Sequence, residues 1–245
     1  KGQMIGLGKL SHLGGDNWWM EGMRVQPEYQ GRGISSQLHE YIHNYWLENG
    51  NGVVRLTTSS KRLPIHHLCE RYGFSKIGER TFFVAPVIQG TPAEALPLQL
   101  LKQEELPEAL NFLQNSPMLS FSNGLIDLGW RHANPQLEFL QNRLEDEKLW
   151  WWRGREGLLS YWEEDEDHVI KPSLNFLACP VEEAAALLLD YRRLAGSYSY
   201  ASATWMAPLH PALQPALNQA GFERDWEDAL FLYVKEHPQI SSQTS

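Results

Sequence analysis

The segment Val25-Gln26-Pro27-Glu28-Tyr29-Gln30-Gly31-Arg32-Gly33-Ile34-Ser35 lies between a strand-like run and an amphipathic run. A turn of this kind exposes backbone N–H groups at a helix start. There the donors and the positive end of the helix dipole bind phosphate oxygens. Gly31 and Gly33 let the backbone approach an anion, and Arg32 can add a charge-assisted contact. A plain structural turn is the alternative. Nearby, His39-Glu40-Tyr41-Ile42-His43 spells His-Glu-x-x-His, which can put two zinc ligands one helical turn apart with a glutamate as base. A catalytic zinc site needs a third protein ligand. The following stretch, Asn44 to Asn49, supplies neither a further glycine nor a further histidine. His39 and His43 are therefore expected on the solvated face of a helix, and no metal is expected.

These residues need elements to hold them. Residues 3–11 and 18–25 read as two strands of a hairpin around a turn with Gly14 and Gly15. Ile34, Leu38, Tyr41, Ile42, Tyr45 and Trp46 fall at helical spacing over 34–47, and Asn49-Gly50-Asn51-Gly52 ends that helix. A short strand follows at 53–57, a helix at 63–72 with Gly73 as its stop, and strand character at 74–84. The order is β-β-α-β-α-β. Residues 89–97, with Gly90, Pro92 and Pro97, read as a linker.

Beyond the linker the pattern predicts helices at 104–114 and 134–145, strands at 148–153 and 157–163, and an acidic loop at 163–168. A strand at 173–178, a helix at 181–194, a strand at 200–206, a helix at 211–220 and strands within 222–235 follow. A polar tail runs from Pro238. Both halves contain a hairpin, helix, strand, helix, Gly-Phe and final strand, with Tyr72-Gly73-Phe74 matching Ala220-Gly221-Phe222. The second half reads as a divergent repeat of the first. The first copy is then N-terminally incomplete, lacking an opening strand and helices. The expected domains are 1–88 and 98–237.

Composition narrows the function classes. The 245 residues are 42% hydrophobic and 21% charged, a globular composition. No apolar run reaches the roughly 18 residues of a membrane span. The net charge of −9 argues against nucleic acid as a partner. Cys69 and Cys179 are too few for a disulfide scaffold, which fits a reducing, cytoplasmic setting. The charge divides unevenly. Residues 1–95 carry 10 Lys and Arg against 8 Asp and Glu, and the remainder carries 11 against 22. The half with the anion-binding turn is thus slightly basic, as electrostatics would ask of it.

Gln30-x-x-Gly33-x-Ser35, preceded by Val25-x-Pro27, resembles the acetyl-CoA pyrophosphate loop of the GCN5-related N-acetyltransferase (GNAT) family. Ser35 is a departure, since the family carries Gly or Ala there. The family's downstream signature, Asn-x-x-Ala-x-x-Leu-Tyr-x-x-x-Gly-Phe, falls here on Arg62, Ile65, Leu68, Cys69, Gly73 and Phe74. Leu, Gly and Phe match, while Arg62 replaces Asn and Cys69 replaces Tyr. The resemblance covers residues 1–88. Met20-Glu21-Gly22-Met23-Arg24-Val25 with Gln30-Gly31-Arg32-Gly33 and Arg55-Leu56-Thr57 is similar to the histidine N-acetyltransferase group, which has a degenerate C-terminal domain. The second half's own loop, Ala178-Cys179-Pro180-Val181-Glu182-Glu183, has no glycine and two carboxylates that would repel a pyrophosphate.

The resemblance implies an α/β fold with two tandem acyl-CoA N-acyltransferase-like domains. It implies acetyl-CoA as cosubstrate, no metal, and transfer to a primary amine of a small molecule, an amino acid among the candidates. It places Met23, Arg24 and Val25 along the pantetheine arm, Gln30, Gly31, Arg32, Gly33, Ile34 and Ser35 at the pyrophosphate, and Arg62 at the arm or phosphates. Glu21 shares the Met23/Val25 face by the two-residue strand period and is the candidate base. An exposed glutamate, or one that binds the substrate ammonium, is the alternative. Cys69 stands where family members often carry an acid, with a buried inert thiol as alternative. Tyr72 is a weaker substitute. His66 and His67 read as partly exposed helix residues, and Trp150-Trp151-Trp152 and Trp162 as packing. The rival functions are a non-catalytic acyl-CoA-binding module and a zinc hydrolase using His39, Glu40 and His43.

Overall fold

The apolar runs and glycine turns become strands and helices whose ends shift by a few residues. A computed structural model describes residues 2–166 and 168–238. In chain order come β1 (Gly6–His12), β2 (Asn17–Val25), α1 (Ile34–Asn49), β3 (Val53–Ser59), α2 (Leu63–Arg71) and β4 (Ser75–Pro86). Then follow β5 (Leu98–Leu100), α3 (Leu106–Gln114), α4 (Pro117–Phe121), β6 (Ile126–Asp127), β7 (His132–Ala133) and α5 (Leu137–Glu145). The chain continues with β8 (Leu149–Trp152), β9 (Gly157–Glu166), β10 (Val169–Ala178), α6 (Ala184–Ser197), β11 (Ser202–Pro208), α7 (Gln214–Gln219), β12 (Glu223–Arg224) and β13 (Leu230–Glu236). The acidic loop expected at 163–168 is largely strand, because β9 and β10 pair out to Glu166 and Val169. Its Asp167, and the tail beyond Pro238, lie outside the described residues. The short elements α4, β5, β6 and β7 had no signal long enough to read.

The molecule is a mixed α/β fold in two compact units. One holds the chain up to Ile77 and from Leu230 on, and the other Gly78–Ala229. In the first unit the strand order is β1-β2-β3-β13. The β1/β2 and β3/β13 pairs are antiparallel and β2/β3 is parallel. Trp46, Ile42, Met20, Val54, Cys69, Phe74 and Tyr233 form its core. In the second unit the order is β4-β11-β10-β9-β8-β5, with β10/β11 the parallel pair. Trp150, Trp151 and Trp152 are all buried in β8, and α6 packs Leu187, Leu188, Tyr191 and Leu194 into the core.

The unit boundaries differ from the sequence expectation of 1–88 and 98–237. The strand after Gly73-Phe74 pairs with β11 in the second unit. The strand that ends the second half, β13, pairs with β3 in the first. Each half thus gives its last strand to the other unit, an exchange that a reading along the chain cannot show. The expected linker 89–97 is also no free tether. Ile88, just before it, donates its N–H to the Arg192 carbonyl, and Leu96 within it is buried. A Cβ at Gly196 would stand 2.2 Å from the Ile88 carbonyl oxygen, so this close approach requires glycine.

Candidate functional site

Strands β2 and β3 pair over Asn17–Trp19 and Val53–Arg55 and no further. Beyond that point a cleft lies between them. It is lined by Met20 to Arg24 of β2, Leu56 to Thr58 of β3, His39 of α1, and Arg62, Ile65 and Leu68 at the start of α2. A β-bulge shapes β2 there. Leu7 stands opposite Arg24 but Lys9 opposite Glu21, so three steps on β2 match two on β1. Gly22, at φ +69°, takes the conformation the bulge requires. The edge of β2 facing β3 therefore has no strand partner from Met20 onward, which leaves backbone donors and acceptors for a ligand.

The bulge corrects one expectation. Leu7 and Lys9 share a face of β1, so their partners Arg24 and Glu21 share a face of β2. Glu21 is not on the Met23/Val25 face. It still lines the cleft, with Oε1 at 3.0 Å from Lys9 Nζ and accepting a hydrogen bond from Ser11 Oγ at 3.0 Å. Its carboxylate is thereby held in one place.

The glycine turn runs from Gln26 to Gly33 through a short 3-10 turn at Pro27–Tyr29. Gly31 and Gly33 both have φ near +75°, a region open to glycine at little cost. Gly33 is the N-cap of α1 and no side chain caps that end, so the leading N–H groups of Ile34 and Ser35 are left for an anion. Gln30 Nε2 donates to the Val25 carbonyl at 3.2 Å, and Arg32 donates to the Glu28 carbonyl at 3.0 Å with its guanidinium over Tyr29. Both side chains brace the turn. Arg24 donates to the Met23 carbonyl at 3.1 Å, and Arg62 is exposed at the N-cap of α2.

Other expectations change. Cys69 does not reach the cleft. It is fully buried among Met20, Val54, Leu56 and Phe74, and burial pushes its thiol up to about 12. It belongs to the core and makes a poor proton donor. His66 is buried, with Nε2 3.0 Å from the Ser59 carbonyl and its ring against Phe231. His67 is exposed beside Glu70.

The largest change concerns His39 and His43. Both are buried, together with Ile42 and Trp46, as the inner stripe of α1. Tyr41 and Tyr45, expected on that stripe, are 71% and 48% exposed. Positions 39, 42, 43 and 46 satisfy the same i, i+3, i+4, i+7 spacing, so the helix rotates its polar-looking histidines inward. Burial, reinforced by His43 and Lys235, lowers His39 to about 4. Lys235 of β13 stands 2.7 Å from His43 Nε2. That contact engages a nitrogen a metal would need, and among the described residues no group of three or more ligands could hold a metal ion. Lys235 had no signal in the sequence, because the strand that carries it is remote along the chain.

The second unit's counterpart loop is built differently. Val181–Glu183 form a 3-10 turn, Glu183 caps α6, and its carboxylate pairs with Arg153 at 2.8 Å. No glycine opens this helix start, and the carboxylates of Glu182 and Glu183 bring negative charge to it.

Residues 1–76 match the acetyltransferase (GNAT) domain family model. N-acetylaspartate synthetase of Danio rerio is 27% identical over 101 residues, which span 41% of this chain and 36% of that protein. The chain thus covers little more than a third of that relative's length. A GCN5-related N-acetyltransferase from Sphaerobacter thermophilus superposes with a TM-score of 0.59 at 12% identity, over 90% of this chain and 73% of that one. A tandem GNAT protein from the clavulanic acid biosynthesis pathway superposes with a TM-score of 0.57 at 11% identity, over 95% and 79%. At these identities the structural likenesses show the fold, which is that of GNAT proteins.

Proposed function

We propose that the chain is an acetyl-CoA-dependent N-acetyltransferase acting on a primary amine of a small molecule, with amino acids the leading class. The observation that carries this reading is a cleft lined by an unpaired β2 edge and a braced carboxylate, on a strand that runs on into an uncapped helix start behind two left-handed glycines. The family match covers all three. The relative from Danio rerio is named for an N-acetylated amino acid, which favours an amino-acid acceptor.

In this reading the N–H groups of Ile34 and Ser35 and the backbone at Gly31–Gly33 hold the pyrophosphate, with Gln30 and Arg32 keeping the turn in shape. The backbone of Met23 to Val25 pairs with the amides of the pantetheine arm, and Arg24 and Arg62 add positive charge. Acetyl-CoA supplies the activated acyl group. Glu21 accepts the proton that the amine loses, directly or through water. The second unit has a glycine-free helix start with two glutamates in place of a phosphate turn. It is read as a degenerate copy that does not bind the donor and shapes or supports the first. The protein is expected to work in the cytoplasm, and no described helix is long and apolar enough to cross a membrane.

The experiment is a screen of amines and amino acids with acetyl-CoA, followed by release of free thiol. Acceptor-dependent thiol release that is lost in Gly33→Glu supports the reading. Binding of acetyl-CoA with no turnover on any amine would instead identify a non-catalytic acyl-CoA-binding module.

A further inference from the structure

His39 is 2% exposed, yet it lines the cleft. Its Nε2 makes no hydrogen bond within the protein. Around the ring stand Tyr72 at 4.7 Å, Phe74 at 5.9 Å and the parallel ring of His43 at 6.4 Å. A buried polar atom without a partner is costly, and a native protein that keeps one has a reason. The reason is available here, because the side chain borders the space a ligand would fill. Leucine would suit the same aromatic surroundings without the cost.

We propose that His39 meets the sulfur end of the acyl donor, its ring N–H donating a hydrogen bond to the sulfur as the C–S bond breaks. This rests on the acetyltransferase reading. The amine and the sulfur make different demands on the cleft. The amine needs an anion to take its proton, and Glu21 is that anion. The sulfur is large and weakly hydrated, and it gains negative charge as it leaves, so a neutral donor in an apolar, aromatic wall suits it. Burial of the ring, with His43 and Lys235 beside it, keeps His39 uncharged at neutral pH, so it donates a hydrogen bond without consuming a proton. The balance is complete. The amine nitrogen bonds to the acyl carbon and gives a proton to Glu21, the C–S bond breaks, the departing thiolate takes a proton from water, and the hydroxide so formed takes the proton from Glu21.

His39→Leu tests the proposal, with His39→Gln as the conservative variant that retains an N–H donor. Removing an unpaired buried nitrogen in favour of an apolar side chain should leave the melting temperature unchanged or raised. The expected result is a kcat about 10–100-fold lower in His39→Leu, with KM for acetyl-CoA and amine unchanged and partial recovery in His39→Gln. A second readout uses no turnover. By calorimetry the wild type should bind CoA more tightly than desulfo-CoA, and the difference should shrink in His39→Leu. Unchanged kcat in a folded His39→Leu, or a rise in KM for the amine alone, would overturn the proposal. An unchanged preference for CoA over desulfo-CoA would overturn it as well. Failure of the wild type to bind acetyl-CoA at all would sink the acetyltransferase reading itself, which separates the two failures.

Discussion

Lys235 Nζ lies 2.7 Å from His43 Nε2 and donates to the Tyr72 carbonyl at 2.6 Å. A lysine of the last strand therefore closes the inner face of the first long helix. The spacing of His39 and His43 invites a zinc reading, and this contact engages one of the two nitrogens that reading needs. Lys235→Met would leave a half-buried carbonyl and an imidazole nitrogen without a partner, at a cost of roughly 1–3 kcal/mol. Thermal unfolding should show the lower midpoint. The purified wild type should carry no stoichiometric zinc by elemental analysis. One bound zinc per chain, with activity lost to a chelator, would restore the hydrolase reading.

The two cysteines give a second prediction. Cys69 and Cys179 are both buried, and burial raises each thiol to about 12. A thiol reagent should modify neither in the native protein at neutral pH and both after denaturation. Rapid reaction of Cys69 in the folded state would return it to the list of candidate acids.

The histidines set a pH dependence. Unfolded His39 binds a proton near pH 6.5, and the folded residue does so only near 4. Between those values the unfolded chain holds more protons, so folding stability falls as pH drops from 6.5 toward 4. His43 is lowered in the same direction, by burial and by Lys235. Denaturant titrations across this range should show the decline in the wild type and a shallower one in His39→Leu. An identical slope in both proteins would contradict the assignment.

Glu21→Gln separates chemistry from binding. Its ion pair is with Lys9, which is 62% exposed, so the loss of stability should be about 0–1 kcal/mol. If Glu21 takes the amine proton, kcat should fall by about 10²–10⁴-fold with KM for acetyl-CoA unchanged. Steady-state kinetics at varied acetyl-CoA would show full activity if the residue is only a surface glutamate.

The sequence carried the elements that local pattern defines. The glycine turn and the helix after it are legible from Gln30, Gly31 and Gly33, and the two Gly-Phe pairs mark where a helix gives way to a strand. What escaped depends on partners far away in the chain. The exchange of β4 and β13 is decided by pairing across more than 100 residues, and Lys235 reaches His43 only through it. The rotation of α1 escaped for another reason. Two interleaved stripes fit the helical period, and tyrosines look more apolar than histidines until Lys235 and Tyr72 give His43 a place indoors. The bulge at Gly22 likewise reverses a face assignment that strict alternation would make for Glu21.

The account stands on donor binding at the start of α1, so calorimetric titration with acetyl-CoA tests it most directly. The wild type should bind one equivalent. Gly33→Glu, which forces a side chain into a left-handed position at a cost of roughly 1–2 kcal/mol and sets a carboxylate at the phosphate site, should abolish binding while the protein stays folded. Wild-type protein that takes up no acetyl-CoA, or a folded Gly33→Glu that binds as tightly as wild type, would contradict the account.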